Sequence, residues 1–371
     1  MRDATRIVRA GAPPASQGAP FLPGPTFASV FHLAGDPASA PYQYGRFHNP
    51  TWSAFEAALT ELEGGPALVF PSGMAATYAV MATLVGPGAR LVMTGDAYYT
   101  ARGVAQRHLV PRGIDVVLAA DAAALRAALP GAQVVWVETP SNPLLEVYDI
   151  RALAAAAREA GALLVVDNTT PTVGGQTPLT LGADVSVASD TKALCGHSDV
   201  VLGHVAVRDP AHAERLRVWR TETGAIAGPM EVWLAHRSLG SLDVRLERMC
   251  ANALGVATWL QARPDVLQTL YPGLPDHPGH EVARSQMQRF GPVVSFELRS
   301  AAAAHAFLAS SALIHEATSF GGLHTSGERR ARWGGDPVGP GFIRLSLGCE
   351  HLDDLLEDFA QALEHAAAVQ A

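Results

Sequence analysis

Positive charge is scarce in this chain. Lys plus Arg number 27 against 35 Asp plus Glu, a formal net charge of -8. No stretch is dominated by basic residues, which excludes a nucleic-acid-binding face built on phosphate contacts. The single arginine-rich run, "ERRAR" at 328–332, is short and reads as a solvated loop. Cysteine is scarcer still. Cys195, Cys250 and Cys349 are odd in number and lack paired or metal-ligand spacing. That excludes a disulfide framework and a cysteine metal site, and suits a reducing compartment. Long apolar runs are missing: nothing approaches the ~20 residues that span a bilayer. The first twenty residues hold no apolar core of signal-peptide length. The sequence thus predicts a cytoplasmic protein with no membrane partner, no nucleic-acid partner and no metal. It also lacks G-x-G-x-x-G and G-x-x-x-x-G-K-[ST], so dinucleotide and P-loop readings lose support.

What is present is apolar bulk in a regular rhythm. The 371 residues are 48% hydrophobic, enough for a large core and more than one domain. Residues 1–47 are rich in Pro, Gly, Ala and Ser and predict an extended N-terminal arm; Pro13, Pro14, Pro20, Pro23 and Pro25 disfavour a helix there. From 52, "WSAFEAALTELEGG" has helical spacing and ends in the stop signal Gly64–Gly65. Strand-like runs follow at 67–70, 90–94, 115–119, 134–138, 163–167, 184–189 and 204–207, with helical stretches at 74–84, 122–129 and 150–160 among them. Near-continuous apolar strands alternating with helices predict an α/β domain over 48–235 with a parallel sheet. Residues 236–371 predict a smaller α+β domain: a helix at 240–262, strands at 292–298 and 342–348, and helices at 300–309 and 352–368.

Ligands in such sheets bind at the carboxyl ends of the strands. Three stretches there carry chemistry. "PSGMAA" (71–76) puts small residues at a helix start, where free N–H groups and the helix dipole favour an anion; alone, it reads first as an ordinary strand-to-helix turn. Asp167 ends an apolar strand, which is costly unless it meets a cation or donors; the plain alternative is a cap. Lys192 follows Ser189 and Thr191 after another strand. Most cations in the chain are arginine, yet this one is an amine that desolvation can deprotonate into a nucleophile. The plain alternative is a surface lysine. Together, an anion site, a carboxylate and an amine suit pyridoxal 5'-phosphate (PLP), whose phosphate, ring nitrogen and aldehyde need those groups.

The ordered segments "YGRFHNPT" (44–51), "ELEGG" (61–65), "PSGMAA", "ETPSNPLLEVYDI" (138–150), "VVDNT" (165–169), "SDTKALCGHSDVVLG" (189–203), "YPGLPDHPGH" (271–280), "SFGG" (319–322) and "IRLSLGCE" (343–350) resemble the Cys/Met-metabolism PLP-dependent enzymes. The likeness runs from about residue 5 to the C-terminus. It implies a fold-type I architecture with a mostly parallel seven-stranded sheet, and a homotetramer, a dimer of dimers with shared active sites. It implies that Lys192 anchors the cofactor and that Asp167 partners its ring nitrogen. Tyr98 would stack on the ring and serve in proton transfer. Gly73 and Met74, with Ser189 and Thr191, would bind the phosphate, and Tyr44 and Arg46 would reach the phosphate of a neighbouring subunit's cofactor. Asn142 would lie near the phenolic oxygen and substrate, and Arg344, with Ser319, would grip the substrate α-carboxylate.

The chain departs from the family where substrate side chains would lie. Thr100 stands where the methionine-cleaving members carry cysteine. Gly103 stands where several members place an arginine for the distal end of cystathionine, with Arg102 one residue early. Thr318 precedes the "SFGG" segment, and the stretch between Ser319 and Arg344 is short and arginine-rich. The expected activity is that of a carbon–sulfur lyase, first a cystathionine γ-lyase. Cystathionine γ-synthase comes next, then cystathionine β-lyase or methionine γ-lyase; a non-catalytic PLP binder is the reading from another class.

Overall fold

A computed structural model describes residues 1–369. Seven strands, β1 (Ala67–Phe70), β2 (Arg90–Thr94), β3 (Asp115–Ala119), β4 (Ala132–Glu138), β5 (Leu163–Asp167), β6 (Val185–Ala188) and β7 (Gly203–Val207), form one sheet in the order β1-β7-β6-β5-β4-β2-β3. It is parallel except for β7, which runs antiparallel to both its neighbours. β1, β6 and β7 are buried throughout, as befits strands covered on both faces.

The covering helices are α1 (Asp3–Arg9), α2 (Pro50–Glu63), α3 (Gly73–Leu84), α4 (Tyr99–Val104), α5 (Ala122–Ala128), α6 (Ile150–Glu159), α7 (Pro178–Leu181), α8 (Pro210–Thr223) and the 33-residue α9 (Pro229–Gln261). Local chemistry sets their ends. Asn49 caps α2 by accepting the Thr51 N–H at 2.8 Å, with Pro50 at its first position. Gly64, at φ +80°, ends it in the left-handed conformation that glycine adopts without steric cost. Apolar clusters fill both sides of the sheet, with Met81 and Trp136 on one side and Val92, Val135 and Leu164 on the other.

A second, five-stranded sheet has the order β10-β11-β12-β9-β8, from β8 (Gln268–Leu270), β9 (Val293–Glu297), β10 (His315–Glu316), β11 (Ser326–Arg329) and β12 (Phe342–Ser346). α10 (His280–Gln286), α11 (Ala301–Ser310) and α12 (Leu352–Ala368) accompany it. The mostly parallel sheet and the smaller second one are those of the expected fold class.

Two expectations need correction. The arm carries a helix: α1 precedes all the prolines, and its Ile7 is buried in the cluster that α2 and α9 share. The long helix expected at 240–262 starts at Pro229, and so runs through residue 236, where a second domain was expected to begin. Among the described residues no helix is long and apolar enough to cross a membrane, and no cluster of His, Cys, Asp or Glu is placed to hold a metal.

Candidate active site

The register of the large sheet brings strand ends together. Glu138 stands opposite Asp167 and Asp167 opposite Val187, so β4, β5 and β6 end at one level. Beyond them lies a cavity of about 380 Å³. Ten of the sequence-predicted residues line it: Gly73, Met74, Tyr98, Asn142, Asp167, Ser189, Thr191, Lys192, Ser319 and Arg344. Tyr44 and Arg46 do not. Tyr44 is 41% exposed, and the Arg46 guanidinium packs over the Tyr44 and Phe47 rings and donates to Thr221 O at 2.5 Å.

Lys192 is the only lysine in the chain. Its Nζ donates to Ser319 Oγ at 2.8 Å and sits 5.2 Å from the centre of the Phe320 ring. Burial, and then the nearby Arg344 cation, bring its pKa down to about 8. A neutral amine is therefore accessible near physiological pH. Ser319 has a left-handed backbone, φ +75°, rare for a residue with a Cβ. Its hydroxyl meets Lys192 while its carbonyl accepts Arg344 Nη2 at 2.5 Å.

The cavity fits PLP at both ends. At one, Ser72 caps α3 by accepting the Ala75 N–H at 3.0 Å. The Gly73 and Met74 N–H groups lie in the first turn, where no intrahelical acceptor exists. A Cβ on Gly73 would stand 2.5 Å from Ser189 Cβ, and one on Gly203 would stand 2.6 Å from Gly73 Cα. Only glycine lets these segments approach so closely, leaving a narrow cradle that a phosphate would fit. Ser189 Oγ faces the same cradle, whereas the Thr191 hydroxyl already donates to Leu202 O at 3.1 Å. At the other end, Asp167 Oδ1 accepts the Thr169 N–H at 3.0 Å, and no cation pairs with it among the described residues. Burial pushes its carboxyl up, opposed by Thr169 and by Lys192. A protonated ring nitrogen is the partner such a carboxylate lacks. Beside it, burial and Asp167 push Glu138 well up; its Oε2 accepts the Tyr98 N–H at 2.6 Å and so fixes the tyrosine turn.

The second sheet supplies the opposite wall. Glu328 on β11 stands directly across from Arg344 on β12. Glu328 Oε1 accepts Arg344 Nη2 at 2.6 Å and Arg330 Nη1 at 2.7 Å, while its Oε2 accepts Trp333 Nε1 at 2.8 Å. Arg344 Nη1 reaches Asn142 Oδ1 at 3.2 Å, and its buried Nε has no partner among the described residues. An arginine with an idle buried donor beside a cavity can grip a carboxylate. Burial brings the Arg344 pKa down to about 10, against the pull of Glu328, so it stays a cation at neutral pH. Burial would raise Glu328, but Arg344, Trp333 and Arg330 outweigh it and hold its carboxyl below the usual range.

The "ERRAR" run is therefore not a solvated loop. Glu328 and Arg330 are 0% and 4% exposed and line the cavity. A charge run reads as solvated because sequence does not show internal pairing; here the charges neutralise one another. Arg102 does not enter the cavity. It donates to Ala97 O and Gly335 O at 2.7 and 2.9 Å, tying the loop after β11 to the tyrosine turn. Glu138, Glu328 and Arg330 went unpredicted. For Lys192 a further signal was available: among 27 cationic residues a single one is an amine that can lose its proton near neutrality.

Residues 9–364 match the family described as Cys/Met metabolism PLP-dependent enzyme. A Streptomyces coelicolor protein provisionally named a cystathionine γ-lyase is 50% identical over 368 residues, covering 98% of this chain and 93% of its own. A cystathionine γ-synthase of Mycobacterium tuberculosis is 38% identical over 97% of this chain and 96% of its own. The crystal structure of cystathionine γ-synthase from Xanthomonas oryzae pv. oryzae in complex with cystathionine matches with a TM-score of 0.95 and 34% identity, over 99% of each chain. The chain belongs to the Cys/Met-metabolism family and is a PLP-dependent trans-sulfuration enzyme.

Proposed function

We propose that this chain is a cystathionine γ-lyase, converting cystathionine to cysteine, 2-oxobutanoate and ammonia. The observation that carries the reading is the placement of Lys192 and Arg344 in one cavity, both bonded to Ser319, one to its hydroxyl and one to its carbonyl. A proton acceptor thus stands beside a carboxylate grip, the arrangement needed to act at the α-carbon of an amino acid.

In this reading Lys192 holds the cofactor, Asp167 meets its ring nitrogen, and Gly73, Met74, Ser189 and Thr191 hold its phosphate. When bound, PLP supplies an electron sink for charge developing at the substrate α-carbon. Arg344 binds the α-carboxylate, with Ser319 and Asn142 at its sides. Lys192 Nζ, freed when the substrate amine takes its place on the cofactor, would accept the proton from Cα, and it must pass that proton on before it could accept a second from Cβ. Tyr98 lines the same space, and burial raises the pKa of its hydroxyl, so it remains protonated at neutral pH and can donate to the departing sulfur.

The arm has a role in the same account. Phe21, Phe27 and Val30 are 100%, 70% and 71% exposed, and Tyr44 and Arg46 sit outside their own chain's cavity. We place them at a second copy's phosphate, in a cytoplasmic homotetramer built as a dimer of dimers. Cystathionine γ-synthase is the second reading, since the relatives carry both names. Incubating the enzyme separately with cystathionine, with methionine, and with an O-acylhomoserine plus cysteine separates them. Rapid 2-oxobutanoate release from cystathionine supports the lyase. Cystathionine formation from the third mixture, outrunning its cleavage, contradicts it.

A further inference from the structure

We infer that Arg330 is a second carboxylate-binding residue, which selects substrates whose side chain ends in another amino-acid group. The inference rests on the lyase reading above and extends it to the far end of the substrate.

Arg330 lines the same cavity as Lys192 and Arg344. Lys192 is assigned to the cofactor and Arg344 to the α-carboxylate, which leaves Arg330 as the cavity's remaining cation. It is held rigidly. Nε and Nη2 donate to Asp336 Oδ2 at 3.0 and 2.6 Å, and Nη1 donates to Glu328 Oε1 at 2.7 Å. These bonds use three of the five guanidinium N–H groups and leave one on each terminal nitrogen. A guanidinium fixed in this way loses little rotamer freedom when a carboxylate arrives.

The loop that carries Arg330 is itself fastened over the cavity. Arg102 bonds Gly335 O, and a Cβ on Gly335 would stand 3.1 Å from Tyr99 Cγ. Arg330 lines the cavity together with Tyr98 and Tyr99 of the tyrosine turn, the side on which we place the substrate side chain. Its positive charge acts on Tyr98, lowering the hydroxyl's pKa against the effect of burial.

Charge in this corner is balanced. Two buried arginines, Arg330 and Arg344, meet two buried carboxylates, Glu328 and Asp336. A bare anion gains little from a neutral site, while a zwitterion, itself neutral, can pair with alternating charges. The distal end of cystathionine is such a group. The methyl terminus of methionine is not, and it offers the idle N–H groups of Arg330 no acceptor.

The test compares cystathionine with S-(2-aminoethyl)-L-homocysteine, which lacks only the distal carboxylate, using the holoenzyme and its Arg330→Gln variant. In the wild type the analogue is expected to lose about tenfold or more in kcat/KM, chiefly through KM. In Arg330→Gln, cystathionine falls to a similar level and the analogue changes little, so the two losses do not add. Equal kcat/KM for the two substrates in the wild type overturns the inference, as does an Arg330→Gln defect of the same size on both. If the variant does not fold, the wild-type comparison still decides. If the wild type does not cleave cystathionine, the lyase reading fails separately. Inhibition by the two compounds of whichever sulfur amino acid is turned over then reads Arg330, and equal inhibition constants overturn the inference.

Discussion

Lys192 Nζ donates a 2.8 Å hydrogen bond to Ser319 Oγ, a residue 127 positions away on the other side of the cavity. The bond joins the sheet that presents the amine to the segment whose carbonyl holds Arg344. On the proposed roles, replacing Lys192 with Ala removes both anchor and base, and turnover should fall by about 10²–10⁴-fold or more. Because the chain has no other lysine, borohydride reduction of the PLP-loaded protein should label one side chain in the wild type and none in the variant, read by peptide mass.

The same amine sets a pH limb. Only unprotonated Lys192 accepts a proton, and burial with Arg344 places its pKa at about 8. The rate of the proton-transfer step should therefore fall as pH drops below about 8, and level off above it. Solvent-isotope-sensitive kcat measured from pH 6 to 10 checks this. A limb near the ordinary lysine value of about 10.4 contradicts it.

Gly73→Ala tests the phosphate cradle. Its Cβ would stand 2.5 Å from Ser189 Cβ, so the first turn of α3 and the Ser189 segment must part. The expected result is a protein that folds but loses PLP on dialysis, with affinity down by about tenfold or more, followed by cofactor absorbance. Ser189→Ala should weaken binding less, since it removes one donor without moving the backbone.

Glu328→Gln tests the buried charge bridge. The change leaves Arg344 and Arg330 without their shared carboxylate, and breaking such a pair typically costs about 3–5 kcal/mol. We expect a lower denaturation midpoint together with a raised KM for cystathionine, as Arg344 loses one of the contacts that aim it.

His204 holds a second buried charge cluster, away from the cavity. Its Nδ1 and Nε2 meet Asp190 Oδ1 at 2.6 Å and Glu63 Oε1 at 3.0 Å, and all three side chains are fully buried. Burial opposes the imidazolium, but Asp190 and Glu63 outweigh it and raise the pKa to about 10. A folded value above the unfolded one, about 6.5, stabilises fully below that pH; the contribution is lost as pH rises through about 10. His204→Leu should destabilise the protein at pH 7 by about 3–5 kcal/mol. It should also flatten the decline in thermal stability between pH 7 and 10, measured by calorimetry.

Much of this architecture was legible because most of the large sheet's strands are buried on both faces. Ala67–Phe70, Arg90–Thr94 and Leu163–Asp167 coincide with their apolar runs, and so does the edge strand Asp115–Ala119, whose Asp115 is exposed and whose next three residues are half-buried. Direction was not legible: β7 is as apolar as its neighbours yet runs antiparallel, and periodicity carries no sign. β10 and β11 were missed because two to four residues hold no pattern, and β11 is made of "SGER", polar residues that pair inward. That strand places Glu328 across from Arg344, and the turn beyond it carries Arg330. The strand-end residues Gly73, Asp167, Ser189 and Lys192 were thus nameable from sequence and line one cavity, while the pairing of Glu328 with Arg344 and Arg330 depends on cross-strand register that no local signal reveals.

The most direct measurement is product analysis with cystathionine as sole substrate. Cleavage at Cγ releases cysteine and 2-oxobutanoate in equal amounts, and cleavage at Cβ releases homocysteine and pyruvate. The account predicts the first pair from the PLP-loaded wild type, with neither pair from Lys192→Ala. Homocysteine and pyruvate as the dominant products would contradict it.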